Sequence, residues 1–331
     1  MSTEQLVAYA AKRRRSEMIK RIAIAVVAVV AAIAAIAGAY YWWFVSSLDH
    51  ALDQNRNSQA LEVLAEASNG EPFYMLVLGS DERHDEKDPD VAQRTDVIML
   101  TRVDAKNRTF TMLSVPRDTR YTLDDGSVVK INELYNIGGV QKTIEGVSKL
   151  SGVPISHYAM IYMSDVKNVV DELGGVTVNV ENEINNNDPE TEENVNVMPG
   201  LQTLDGREAQ AYAIARHDTE DGNDSHRQDK IRNLVSAVIQ KVLDRPVTDI
   251  PGTVIALAKY LETDLRAQDH IDLAVEFASG SGGATIYQAS APSEGSLDEE
   301  LGAWFVNPDP EGWAKVMSVI DAGGDPATVE Y

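Results

Sequence analysis

The chain has 331 residues, 44% of them hydrophobic, with 29 Lys and Arg against 52 Asp and Glu and a formal net charge of -23. That length holds one large domain or two small ones, and the absence of cysteine excludes a disulfide framework and thiolate-bound zinc. Residues 1–45 hold six basic and two acidic residues, leaving 23 basic against 50 acidic in the remainder. Such a domain repels nucleic acid and anionic surfaces, so any cluster of arginines within it needs a specific reason.

Ile22 to Val45 carries no charge and is rich in Ala, Val and Ile. At about 1.5 Å per residue it crosses a hydrocarbon core of about 30 Å. Tyr40-Tyr41-Trp42-Trp43 marks one interface, and Lys12 to Arg21, rich in Lys and Arg, marks the other. The expectation is a retained single-pass anchor: a cytoplasmic tail over 1–21, a transmembrane helix over 22–45, and everything from residue 46 outside the cytoplasm. A cleaved signal peptide is the competing reading, but the run exceeds the usual apolar length of about 7–15 residues. Residues 46–71 read as a helical or partly ordered stalk.

From Pro72 the pattern changes. Short apolar runs at 73–79, 97–103 and 109–115 read as strands, with Asp104-Ala105-Lys106-Asn107 turning between the second and third. Helical patterns follow at 131–135, 140–150, 164–173, 207–218, 228–243 and twice within 250–278. Further strands are predicted at 158–163, 176–180 and 285–288. This alternation predicts an α/β fold, a layered α/β/α domain with a central mixed sheet over 72–290. The Asn-rich stretch 185–196 reads as a loop. Residues 291–331 read as a weakly patterned, partly flexible extension.

The loops at the strand ends carry unusual chemistry. Gly79-Ser80-Asp81-Glu82-Arg83 follows the first strand, and Arg94-Thr95-Asp96 precedes the second. Pro116-Arg117-Asp118-Thr119-Arg120 follows the third, and Lys130-Ile131-Asn132 opens a helix. Arg216-His217-Asp218 closes a helix and Arg227-Gln228 opens the next. One Arg–Asp pair at a strand end is ordinarily structural. Recurrence at successive strand ends is another matter, because ligands of α/β sheets bind there. Guanidinium groups fit phosphate oxygens, and carboxylates beside them tolerate a diphosphate when a cation such as Mg²⁺ bridges the two. The residues therefore suggest a metal-assisted pyrophosphate site. The histidines are scattered without metal-binding spacing.

The ordered set GSDER, RTD, SVPRDTR, KINELY–GG and AYAIARHD–DSHRQ, over roughly residues 73–245, resembles the LytR–CpsA–Psr family of cell-envelope proteins. The resemblance implies transfer of a glycopolymer from a polyprenyl-diphosphate carrier to peptidoglycan, with phosphodiester formation and Mg²⁺. It implies Asp81 and Asp96 as metal ligands, with Asp81, Asp96 and Arg117 catalytic. Arg83, Arg94, Arg117, Arg216 and Arg227 would grip the diphosphate, with Arg120, Lys130 and Gln228 as further binders. The chain departs from the family where Asp218 stands in place of a second arginine. A pyrophosphate hydrolase and a non-catalytic envelope scaffold remain alternative readings of the same site.

Overall fold

In the computed structural model, the described residues are 3–53, 57–68, 70–80, 94–187, 191, 193–215, 224–246, 249–279 and 283–331. The chain divides into two compact units, Met1–Ser47 and Leu48–Tyr331. The first is a single helix, the greater part of α1 (Thr3–Asp53). Within α1, Ala28–Asp53 is long and apolar enough to cross a membrane. The last turns of α1 belong to the second unit, where Leu48 and Leu52 are buried. The start of the segment read as a stalk is thus helical.

The second unit is built on a six-stranded mixed sheet. Its first strands are β1 (Phe73–Ser80), β2 (Thr95–Asp104) and β3 (Thr109–Ser114), a meander of antiparallel neighbours. Two three-residue strands, β4 (Arg120–Thr122) and β5 (Val128–Lys130), pair outside the sheet and lead into α2 (Glu133–Ser151). Helix α2 is kinked at Gly138 and Gly139, where the backbone leaves helical geometry, so the two helical patterns of the sequence meet at a bend. Strand β6 (His157–Tyr162) then joins β1 in parallel.

Next come α3 (Val166–Glu172), β7 (Val176–Val180), a hairpin of β8 (Ile184–Asn187) and β9 (Asn194–Val197), β10 (Gly200–Leu204) paired with β7, and α4 (Gly206–Ile214). Helices α5 (Asp224–Leu243) and α6 (Ile250–Ala258) precede β11 (Leu261–Thr263), which edges the sheet beside β6. Helix α7 (Ala267–Ser279) leads to β12 (Thr285–Ser290), which closes the other edge parallel to β3. The chain ends with the hairpin β13 (Ser293–Asp298) and β14 (Ala303–Pro308), and helix α8 (Pro310–Asp321). The sheet order is β11-β6-β1-β2-β3-β12.

Period-two alternation sends side chains to two cores. Tyr74, Leu76 and Leu78 of β1, with Ile98 and Leu100 of β2, pack against α2 and α8. Val97 and Met99 of β2 and Met112 of β3 face α3, α4 and α5. Covered on both faces, β2 is buried at all ten positions. The result is the α/β/α layering that the sequence predicts.

Two segments depart from the sequence reading. The Asn-rich stretch is the β8–β9 hairpin, whose Val195 and Val197 point inward while Asn194 and Asn196 face water. The C-terminal tail is not weakly structured. Trp313, Val316, Met317 and Ile320 recur at helical spacing and complete the core on α2. Beyond α8, Pro326 is buried and the Tyr331 hydroxyl donates to the Ser290 carbonyl at 3.1 Å.

Candidate functional site

The site grows from an irregularity at the tip of β1 and β2. Gly79 pairs with Val97, but Ser80 pairs with Thr95, so Asp96 is the extra residue of a bulge. A bulge bends its strand and re-aims the extra side chain. Glycine is required beside it: a Cβ at position 79 would lie 2.8 Å from Val97 Cβ.

Asp96 is clamped by two guanidinium groups. Arg117 Nη1 donates to its Oδ1 at 2.8 Å. Arg227, 3% exposed and arriving from α5, donates from Nη1 to Oδ2 at 3.5 Å and from Nη2 to the Asp96 carbonyl at 3.1 Å. The loop after β3 supplies Arg117 and Asp118. It turns tightly, with Thr119 donating to the Pro116 carbonyl from its amide at 3.0 Å and from its hydroxyl at 2.6 Å. The segment before α2 is laced to that loop, with Ile131 N–H on Thr119 O at 2.8 Å and Asn132 N–H on Arg117 O at 3.1 Å. This lacing brings Lys130 Nζ to Asp118 Oδ1 at 2.8 Å, while Arg117 Nε lies 3.7 Å from Asp118 Oδ2.

These groups line one open cavity of about 420 Å³, walled by Arg94, Asp96, Arg117, Asp118, Lys130, Asn132 and Glu133. Three cations and three carboxylates thus converge at the strand ends. A second cavity, of about 520 Å³, lies where β1 and β6 begin, lined by Phe73, His157, Glu71, Asp269, Asp272 and Glu276 among others. Among the described residues its lining includes no lysine or arginine, and its carboxylates disfavour a phosphate.

Of the residues singled out in the sequence, Arg94, Asp96, Arg117 and Lys130 meet in the first cavity. Arg227 is buried behind Asp96, and Gln228, next in α5, is buried at 8% exposure. Arg120 is placed elsewhere. Its guanidinium sits 4.5 Å over the Phe305 ring, donates from Nε to Asn307 Oδ1 at 3.0 Å and pairs through Nη2 with Asp298. Those partners come from the β13–β14 hairpin, so Arg120 fastens that hairpin to the site loop. Asp81, Arg83 and Arg216 lie outside the described residues.

Three cavity residues were not among the sequence candidates: Asp118, Asn132 and Glu133. Asn132 is the most telling. It is 4% exposed, its Oδ1 has no hydrogen-bond partner among the described residues, and although it stands at the start of α2 it makes no capping bond. A buried unpaired acceptor costs about 1–3 kcal/mol, so its retention in a cavity points to a ligand. Its place in Lys130-Ile131-Asn132, already prominent in the sequence, was the available signal.

As donors for a metal, the described residues fit only an incomplete shell. Among them no group of three or more His, Cys, Asp or Glu could hold an ion. The described lining presents hard oxygens from Asp96, Asp118 and Asn132, and no sulfur or imidazole. That set suits Mg²⁺, which uses one or two carboxylates and takes its remaining ligands from water and phosphate.

An α/β/α domain with a polar, cation-bearing cavity at the ends of its central strands belongs to the class of layered α/β proteins that place their ligand sites outside strand ends. The family model LytR_cpsA_psr family matches residues 43–310, and the chain belongs to that family. It is 30% identical over 249 residues to the polyisoprenyl-teichoic acid–peptidoglycan teichoic acid transferase TagU of Enterococcus faecalis, covering 74% of this chain and 78% of the relative. It is 35% identical over 217 residues to the transferase of the same name from Halalkalibacterium halodurans, covering 65% and 68%. Among solved structures, B. subtilis TagV superposes with a TM-score of 0.65 at 25% identity, covering 77% of this chain and 98% of that one.

Proposed function

We propose that this protein transfers a glycopolymer from a polyprenyl-diphosphate carrier to peptidoglycan. A hydroxyl of the acceptor attacks the sugar-proximal phosphorus, a new P–O bond forms, the diphosphate P–O bond breaks, and polyprenyl phosphate leaves. The observation that carries this reading is the convergence of Arg94, Arg117 and Lys130 on one cavity of a strongly acidic domain, with Asp96 fixing Arg117 in place. Relatives named as teichoic acid transferases support the reaction class. The two readings with other chemistry, hydrolysis and scaffolding, have no observation in their favour.

In this scheme Arg94, Arg117 and Lys130 bind the diphosphate and offset charge building on its oxygens. Arg227 acts through Asp96, as a positioning residue. Asp118 holds Lys130 toward the cavity. Asp96 is held by two guanidinium groups and Asp118 by Lys130, whereas Glu133 forms no ion pair among the described residues. Glu133 is therefore the carboxylate assigned to accept the proton of the attacking hydroxyl, and Asn132 the acceptor that orients a donor hydroxyl or an ion. Asp96, with Asp81, would hold Mg²⁺, which when bound neutralises phosphoryl charge.

We also propose that α1 anchors the chain with residues 1–21 in the cytoplasm and the catalytic unit outside, beside the leaflet that presents the lipid carrier. The basic residues before the apolar run support that orientation. The reading is tested by incubating the full chain with lipid-linked polymer, with and without peptidoglycan. Polymer joined to peptidoglycan is expected. Polymer released equally in both arms would replace transfer with hydrolysis.

A further inference from the structure

The described surface of the second unit carries isolated exposed apolar side chains, but three gather on one hairpin. Leu297, Leu301 and Trp304 are 58%, 50% and 54% exposed, all on β13–β14 or its turn. Leu297 and Trp304 pair directly across the hairpin and so share a face. The other tryptophan of this unit, Trp313, is buried.

Trp304 is exposed yet seated. A Cβ built on Gly295 would meet ring atom Cζ2 at 2.7 Å, and Cε2 and Nε1 at 3.2 Å. The indole therefore lies against the bare backbone of Gly295. A ring already held in place loses little freedom when a flat ligand stacks on it.

The hairpin is joined to the catalytic loop. On its other face Phe305, Asp298 and Asn307 hold Arg120. Along its edge Val306 N–H donates to the Asp118 carbonyl at 3.0 Å, and Asp118 lines the cavity. Trp304 lies two residues from Val306, about 7 Å along the strand. The aromatic face thus continues from the wall of the site.

Charge selects the occupant. Residues 291–308 contain Glu294, Asp298, Glu299 and Glu300 and no lysine or arginine. Such a surface disfavours a polyanionic donor polymer and accepts neutral sugar rings, whose C–H faces pack on an indole.

We propose that Trp304, with Leu297 beside it, is the docking platform for the neutral N-acetylhexosamine strand of the acceptor, delivering its hydroxyl to the cavity. The identity of the acceptor rests on the transferase reading above, whereas binding itself needs no turnover.

The test uses the full chain in detergent micelles and peptidoglycan sacculi stripped of other wall polymers. Affinity is read by co-sedimentation for wild type, Trp304→Ala, Gly295→Val and Arg117→Ala. Gly295→Val keeps the tryptophan but displaces its ring, and because the ring is at the surface both hairpin variants should melt close to wild type. Trp304→Ala and Gly295→Val are expected to bind roughly tenfold more weakly, with acceptor KM raised to match and donor KM unmoved. Arg117→Ala should sediment like wild type. Equal binding by wild type and both hairpin variants would overturn the platform, as would wild type failing to bind or a shift confined to donor KM. Weakened binding by the hairpin variants without transfer by any form would sustain the platform and overturn the transferase reading.

Discussion

Removing Arg117 separates the chemistry of the site from its architecture. In Arg117→Ala the 2.8 Å ion pair to Asp96 is lost, between side chains 20% and 10% exposed. Orphaning a buried charge costs about 3–5 kcal/mol. Asp96 keeps its 3.5 Å contact with Arg227, and Arg227 still holds the Asp96 carbonyl at 3.1 Å. The loss to the fold is therefore smaller, about 1–3 kcal/mol. The loss to the reaction is of another kind. A guanidinium directed at phosphoryl oxygens contributes about 3 kcal/mol in the transition state, or about a hundredfold in rate. Arg117→Lys keeps the charge but not the planar fork, so it should recover only part of that factor. The assay measures transfer of lipid-linked polymer to peptidoglycan alongside the melting temperature. A folded Arg117→Ala protein with near-normal transfer would remove Arg117 from the diphosphate contact and refute the reasoning.

Further predictions follow from single contacts. Asn132→Ala removes a buried acceptor that has no partner among the described residues and makes no helix cap, so stability should hold or rise by up to about 1 kcal/mol while transfer falls; chemical denaturation and the transfer assay together check this, and unchanged transfer would exclude Asn132 from ligand contact. Gly206→Ala places a Cβ 2.2 Å from the Lys167 carbonyl oxygen, where α4 meets α3, and should destabilise by about 1–3 kcal/mol in a urea titration. Asp298 is held below the usual carboxylate range by the Leu301 amide and by Arg120. A carboxyl lowered in the folded state contributes stability above its unfolded pKa and loses it as pH falls through the folded value. Protection of hairpin amides in hydrogen exchange should therefore weaken under acid, and Asp298→Asn should already show that weaker protection at neutral pH.

Much of this architecture is written locally. The runs that became β1, β2 and β3 are apolar and bounded by turns, so their strand identity follows from residues within a few positions. The cations of the site were legible for the same reason: Arg94, Arg117 and Lys130 sit next to strand ends, where a sheet places its ligand groups. Contacts distant in sequence were not legible. Arg120 lies only three positions from Arg117, but its partner Asp298 is 178 positions downstream, and that contact turns it away from the cavity. Asp96 was legible as a site carboxylate beside the second strand, but only the slip in pairing between Gly79 and Ser80 shows it to be the bulged position. The β8–β9 hairpin was obscured by asparagines on its solvent face, although its buried valines alternate as a strand should. Helix α8 carries a plain helical spacing, masked in the sequence by the acidic, glycine-containing segments on either side of it.

The most direct test follows the phosphorus atom. The full chain is given a polyprenyl-diphosphate-linked polymer labelled at the sugar-proximal phosphate, with peptidoglycan as acceptor. The label should become covalently attached to peptidoglycan in a phosphodiester as unlabelled polyprenyl phosphate appears in equal amount. Label remaining on free polymer while polyprenyl phosphate accumulates would contradict transfer.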